Sequence, residues 1–389
     1  MRYKLLLSLL FSLLFFLNSC GSNSHGDGFY LQEKKFLHNL FLTEYLWYDK
    51  VTSNVNYTNF TNPSNMVNSL RVNPPDIWSF SMTEDEYEDY INQKTSGFGF
   101  YYSKNLQIFL IRIGSPTYGK LFRGDTIIQI DGNEASAALI SDMSKNLNKA
   151  TIFTVIRHGN LINITVKPKE YTFKVSLGKI ISHHSKKVGY LRYDSFSGSS
   201  VPEFEAEFSK FKNANIDELI IDLRYNGGGS ITVASTLLDN ITNAYSGQRQ
   251  GYLDWNENYK EKNENLFFSD EAEPNDLNMK RVIFLVTKNS ASASELVISA
   301  LKPYLGDTNV ITIGTNTHGK NVGMSGKAYG NNYYFIINFF VRNNINNRIS
   351  FEGISPTCSA EDDITHLMGD KDETMLKTAL HYIETNNCL

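Results

Sequence analysis

Between Arg281 and Lys320 the sequence RVIFLVTKNSASASELVISALKPYLGDTNVITIGTNTHGK sets two short β-branched runs around one helical stretch. Val282 to Thr287 reads as a buried strand, and Val310 to Ile313 reads as the next. Between them, Asn289 to Ser294 is a turn of small residues. Glu295 then opens a helical pattern that places Leu296, Val297, Ala300 and Leu301 on one face and is expected to stop near Pro303. The second strand delivers Gly319-Lys320 to a loop. Strand, tight turn, helix, strand and loop in that order can hold a nucleophile at a helix N-terminus and bring a partner back beside it. A serine hydroxyl is a poor nucleophile until a base takes its proton. A lysine can be that base if burial lowers its pKa from about 10.4 to roughly 7–8.

The triplet Ser290-Ala291-Ser292-Ala293-Ser294-Glu295, followed by a Gly-Lys pair, resembles the signature of the C-terminal processing (tail-specific) peptidases, which use a Ser–Lys dyad. The resemblance implies that Ser292 is the nucleophile and Lys320 the base. Their 28-residue separation is slightly longer than is usual in that family, and the excess falls in the Leu305 to Asn309 turn. Without the resemblance, the same small-residue turn needs no chemistry, and Ser290 reads as a helix cap.

A second stretch, Asp222-Leu223-Arg224-Tyr225-Asn226-Gly227-Gly228-Gly229, follows a buried strand (Leu219 to Leu223). Acyl transfer places negative charge on the scissile carbonyl oxygen, and rigid backbone N–H groups with no side chain in the way can stabilise it. The stretch is similar to the Asp-Leu-Arg-x-Asn-x-Gly-Gly of the same peptidases. There a glycine amide and the amide after the nucleophile form the oxyanion hole, which implies Gly228 and Ala293, with Gly227 beside them. Asp222 and Arg224 read as structural partners of each other. The family commonly carries Gln or Glu four residues after the lysine, and here that position is Met324. His318 lies two residues before the lysine and is an alternative base.

The 389 residues have room for two or three domains, and 41% hydrophobic residues suit a sizeable core. A net charge of −4 with no basic run argues against a nucleic-acid surface. Residues 1–20 read as a targeting segment: Arg2 and Lys4, an apolar run from Leu5 to Leu17, then Ser19-Cys20. This resembles a bacterial lipoprotein signal. It implies a lipidated Cys20, membrane attachment through that anchor, and a place in the cell envelope on the periplasmic face or outer membrane. An ordinary cleaved signal is the plainer reading. Residues 21–28 form a polar, Gly-rich tether. Cys358 and Cys388 then remain in an oxidising compartment, either paired with each other or as two free thiols.

Residues 29–90 read as a small helical segment without chemistry, suited to packing against a neighbouring domain. Residues 91–172 combine Gly97-Phe98-Gly99-Phe100, the strand entry RGDTIIQIDG, a helix from Ala137 to Leu147 and a hairpin turning at His158-Gly159-Asn160. Together these resemble a PDZ domain. Its Gly97–Phe100 loop would hold a peptide's terminal carboxylate, and the strand after it would accept an added strand. Residues 173–389 alternate strands and helices, as an α/β core with largely parallel pairing requires. The fold class is therefore mixed α/β (α+β overall). The resemblance implies a crotonase/ClpP-like βα peptidase core, joined to the PDZ-like unit and the N-terminal helical segment.

Two further patterns read as decoys. Ser209-Lys210-Phe211-Lys212 has S-x-x-K spacing, but it lies late in an amphipathic helix with its lysines on the solvated face. His183 and His184 would point to opposite faces as neighbours on a strand, no second ligand pair is spaced to join them, and a solvated loop is the plainer reading. The expected activity is a cofactor-free envelope serine endopeptidase that acts through an acyl-enzyme on protein or peptide substrates with accessible C-termini. The alternative is a weak or inert PDZ-bearing scaffold lipoprotein, for which Met324 and the lengthened Ser292–Lys320 interval are the best support.

Overall fold

The computed structural model describes residues 29–271 and 273–389. The expected signal, Cys20 and the tether lie outside the described residues. The second half of the chain is built on a six-stranded sheet ordered Ser176–His183, Lys186–Tyr193, Glu218–Asp222, Val282–Val286, Val310–Gly314 and Cys358–Ser359. Every pairing after the first hairpin is parallel. Both faces are covered, which is why the central strands read as unbroken apolar runs. Leu219, Ile221 and Leu223 face one side, with Phe284 and Val286. They pack there under helices Val201–Ala214, Ile231–Ile241 and Ala293–Leu305. Ile220, Ile283, Leu285 and Ile313 face the other side, against helix Thr374–Thr385. Cys358 and Cys388 are joined in a disulfide that secures the end of this helix to the edge strand.

A second, five-stranded sheet joins Phe80–Thr83, Asn332–Asn343, Arg249–Trp255 and Glu264–Phe267, with Val322–Tyr329 also paired to Asn332–Asn343. The N-terminal segment is thus more than helical. It supplies helices Leu31–Thr43 and Pro63–Leu70 and then strand Phe80–Thr83, which pairs antiparallel with Asn332–Asn343. Leu37, Phe41, Tyr45, Met66 and Val67 form one core with Met324 and Tyr334 to Ile337. Inside this seam the buried Glu33 accepts hydrogen bonds from the Tyr334 hydroxyl (2.7 Å) and the Asn332 amide (2.9 Å).

The β-rich middle unit has its own core around Phe98, Ile127, Ile130, Phe153 and Val155. Its helix runs Ala137–Lys145 and its hairpin Thr151–Arg157 with Asn160–Val166, turning where His158 and Gly159 take positive φ. Helix Ala293–Leu305 continues two residues past Pro303, the expected stop. The Cys358-bearing edge strand is only two residues long.

Candidate active site

Three neighbouring parallel strands, Glu218–Asp222, Val282–Val286 and Val310–Gly314, each end in one of the loops singled out in the sequence. The carboxyl ends of parallel strands lie at one edge of the sheet, where α/β proteins place their ligand crevices. Sequence-distant motifs therefore meet there because of topology alone.

The loop after Val286 is tied to the glycine turn by hydrogen bonds. Ser290 Oγ donates to the Leu223 carbonyl (2.7 Å), Ser294 Oγ to the Asn226 carbonyl (2.9 Å), and the Ala291 N–H to the same carbonyl (3.1 Å). Ser290 is therefore a tie between loops; the helix cap is Ser292. The serines at 290 and 294 are fully buried, whereas Ser292 keeps 8% of its surface exposed. Ser292 has φ 57° and ψ −111°, a left-handed-side conformation that a serine adopts at a cost of about 1–3 kcal/mol. Such strain persists only where the surroundings hold it.

Glu295, fully buried, is what holds it. Its Oε2 accepts the Ser292 N–H (2.8 Å) and the Lys320 N–H (2.9 Å), and its Oε1 accepts the Gly319 N–H (2.7 Å) and the Thr317 hydroxyl (2.6 Å). One carboxylate oxygen thus fixes the backbones of both Ser292 and Lys320. Burial pushes the Glu295 carboxyl upward, opposed by these four donors. Gly319 is required at its position. Its φ is 91°, and a Cβ there would overlap the Phe351 carbonyl.

Lys320 is 1% exposed. Burial lowers its pKa to about 7, against the opposing pull of Asp76 and then Glu295. The ring of Trp78 stands 5.9 Å from its Nζ. His318 keeps its Nε2 as acceptor for Trp78 Nε1–H (3.2 Å), while Nδ1 faces the Lys288 carbonyl at 3.3 Å. Burial holds this imidazole below its ordinary range. With one nitrogen on Trp78 and the other on a carbonyl, it is poorly placed to act as a base. Met324 is buried in the apolar core of the N-terminal unit, where its side chain has no donor or acceptor to offer the lysine beyond a weak thioether.

The glycine turn is rigid. Asn226 is fully buried and donates through Nδ2 to the Tyr193 carbonyl (2.9 Å). Its Oδ1 accepts the Gly228 N–H (2.8 Å), so that amide is committed to the turn itself in this conformation. The amides of Gly227 and Ala293 have no hydrogen-bond partner among the described residues. Asp222 and Arg224 do pair, at 2.9 Å, within a larger cluster taken up below.

In the middle unit, Gly97 and Gly99 have φ of 107° and 84°. Phe98 is buried in the unit's core, and among the described residues Phe100–Tyr102 forms a two-stranded sheet with Ile108–Ile111. The side chain of Ser144, on helix Ala137–Lys145, sits directly over Gly97. Far from this region, His183 and His184 do not point apart as expected. The strand ends at His183, and His184 turns back with φ 50°, so the rings lie 4.5 Å apart beside Glu384. His184 and Glu384 are largely solvent-exposed, and we assign this trio no chemistry.

Sequence reasoning missed Glu295, read only as the first residue of a helix, together with Asp76 and Trp78. The capping-box spacing of Ser292 and Glu295 could have signalled the first. No local signal marks the other two.

Comparisons with known proteins bear on the same regions. The sequence pattern of peptidase family S41 matches residues 187–360, and that of the peptidase S41 N-terminal domain matches residues 32–80. A carboxyl-terminal-processing protease from Picosynechococcus sp. is 27% identical over 235 residues, which cover 56% of this chain and 51% of that protein. The chain thus spans about half the length of this curated relative. The crystal structure of a putative S41 protease from Bacteroides fragilis superposes over 90% of this chain and 97% of its own, with a TM-score of 0.78 at 22% identity. Mature CPAF complexed with lactacystin superposes over 91% and 97%, with a TM-score of 0.50 at 12% identity. These structural likenesses speak to the fold.

Proposed function

Because the chain belongs to peptidase family S41, we propose that it is a serine endopeptidase in which Ser292 is the nucleophile and Lys320 the general base. The observation that carries this reading is the shared carboxylate oxygen of Glu295, which ties the Ser292 backbone to that of a fully buried lysine. An amine with a pKa near 7 is largely neutral at slightly alkaline pH and can take a proton. Ser292 Oγ attacks the peptide carbonyl carbon as its proton passes to Lys320 Nζ. The tetrahedral oxyanion is held by the amides of Ala293 and Gly227, with Gly228 joining if Asn226 releases its N–H. The resulting ammonium returns its proton to the leaving amine, and the acyl-enzyme forms. Water then attacks the ester, Lys320 takes its proton, and Ser292 is regenerated as the new C-terminus departs.

The middle unit supports a PDZ-like role. A substrate's C-terminal carboxylate would sit at the Gly97–Phe100 loop, and its chain would pair along the edge of Phe100–Tyr102 opposite Ile108–Ile111. We further propose export as a lipoprotein anchored through Cys20, on the strength of the N-terminal sequence. The test is hydrolysis of a disordered polypeptide by protein lacking residues 1–20. Cleavage should be lost in Ser292→Ala and in Lys320→Ala. Cleavage kept in Lys320→Ala would remove the lysine from the mechanism. Binding of C-terminal peptides without cleavage by the unmutated protein would favour a scaffold.

A further inference from the structure

The amine of Lys320 lies at the seam between the peptidase sheet and the N-terminal unit. The wall on the far side of that seam is the short segment from Asp76 to Ser79. Asp76 is fully buried. Its Oδ1 accepts the backbone N–H groups of Trp78 and Ser79, each at 2.9 Å. Its Oδ2 accepts the hydroxyls of Tyr45 (2.8 Å) and Ser79 (2.5 Å). Burial pushes the Tyr45 phenol far above its ordinary range, so it stays a donor.

Four neutral donors orient a buried carboxylate but do not neutralise it, and a buried anion is costly until a cation stands near it. Arg71 donates to the Ser79 carbonyl at 3.4 Å, and its charge also acts on Tyr45. The buried cation on the other side is Lys320, on which Asp76 acts more strongly than Glu295 does. Trp78 is fixed at three points: its N–H on Asp76, its Nε1–H on His318, and its ring stacked on Phe351 at 6.2 Å. Held in this way, it presents its indole to the lysine amine.

We propose that Asp76 and Trp78 of the N-terminal unit are positioning residues for the Lys320 amine, so that the nucleophile–base pair is complete only with that unit docked. This rests on the Ser292–Lys320 reading above. The two residues act in opposite senses. Asp76 attracts the ammonium and anchors the amine. Trp78 walls it off from water, which favours the neutral form and outweighs the attraction of its ring face for the ammonium. Among the charged or titratable groups acting on Lys320 are Asp76 from the N-terminal unit, Glu295 from helix Ala293–Leu305 and His318 from its own loop.

The test is the rate at which a fluorophosphonate phosphonylates Ser292, Oγ–P forming as P–F breaks and fluoride leaves, followed against pH in protein lacking residues 1–20. Peptide mass identifies the labelled serine. Unmutated protein should show a rising limb centred near pH 7. Ser292→Ala should not be labelled, and Lys320→Ala should lose the limb. In Asp76→Asn the limb should move down by about one pH unit, with a plateau rate lowered roughly tenfold. In Trp78→Leu, which keeps an apolar side chain and should still fold, the limb should move up by about one unit as water reaches the amine. A merely structural role would lower labelling without moving the limb. If both variants keep the limb of the unmutated protein while Lys320→Ala abolishes it, the dyad stands and this proposal is wrong. If Lys320→Ala keeps the limb, the dyad itself fails.

Discussion

Two buried basic side chains lie at the same edge of the sheet, and their surroundings drive them in opposite directions. Arg224, with no exposed surface, is gripped by Asp222 (2.9 Å), Glu373 (2.9 and 3.0 Å) and Asp362 (2.7 Å). Burial disfavours its charge, but these carboxylates outweigh it and hold the guanidinium well above its ordinary range. Arg123 from the middle unit joins the cluster through the Tyr225 hydroxyl (2.6 Å) and Asp362. The cluster therefore also docks that unit against the strand end that carries the glycine turn. Lys320 is as deeply buried, but there burial prevails over the nearby carboxylates and the amine is driven toward neutrality. Bidentate pairing makes a structural cation, whereas desolvation with only partial compensation makes a reactive amine. Depth of burial alone does not separate them.

The sharpest way to break this contrast is to remove the paired cation. Arg224→Met leaves Asp222 and Glu373 buried without their partner, and we expect a loss of about 3–5 kcal/mol in urea unfolding. Lys320→Met should abolish cleavage and change stability at pH 7 far less than Arg224→Met does, because relief from holding a desolvated amine is set against leaving Asp76 without its cation. The pH dependence of stability follows from linkage. The folded-state pKa near 7 lies below the unfolded value of about 10.4, so the unfolded chain binds more protons between them, and stability should rise with pH across that window. Lys320→Met should lack that rise, which pairs of melts at pH 7 and pH 9 would reveal.

Glu295→Gln keeps the shape of the side chain but turns an amide donor toward donors. It should cost about 2–3 kcal/mol and lower kcat/KM on the order of a hundredfold, as Ser292 and Lys320 lose their common anchor. Tyr225→Phe removes one hydroxyl between Arg123 and Asp362. Its expected cost is about 1–2 kcal/mol in urea unfolding, the smallest of the set. An effect as large as that of Arg224→Met would show that Tyr225, rather than the guanidinium, holds the cluster together.

The turns that lie within one strand–turn–helix unit were legible in the sequence, because turn chemistry and strand periodicity are local, and the family resemblance supplied their roles. The serine triplet, the glycine turn and the Gly-Lys loop belong to this class. The separate tasks of Ser290 and Ser294 were not legible, since each hydroxyl bonds a carbonyl nearly 70 residues away, at Leu223 and Asn226. Asp76 and Trp78 sit in a segment that reads as packing, and their bearing on Lys320 exists only because strand Phe80–Thr83 pairs with Asn332–Asn343. Of the His183-His184 readings, the solvated loop holds at His184, and the opposite-face alternation does not. Alternation holds along a strand, and the strand ends between the two residues.

The claim on which the rest depends is that Lys320 titrates near neutrality in the folded protein. It can be measured with 13Cε-labelled lysine by NMR in the Ser292→Ala protein, the Lys320 resonance being assigned by its absence from the Ser292→Ala/Lys320→Met double variant. We expect one lysine signal to titrate at about pH 7 while the exposed lysines titrate near 10.4. A Lys320 signal that titrates with the others would contradict the account, because the amine would then be charged wherever Ser292 needs a base.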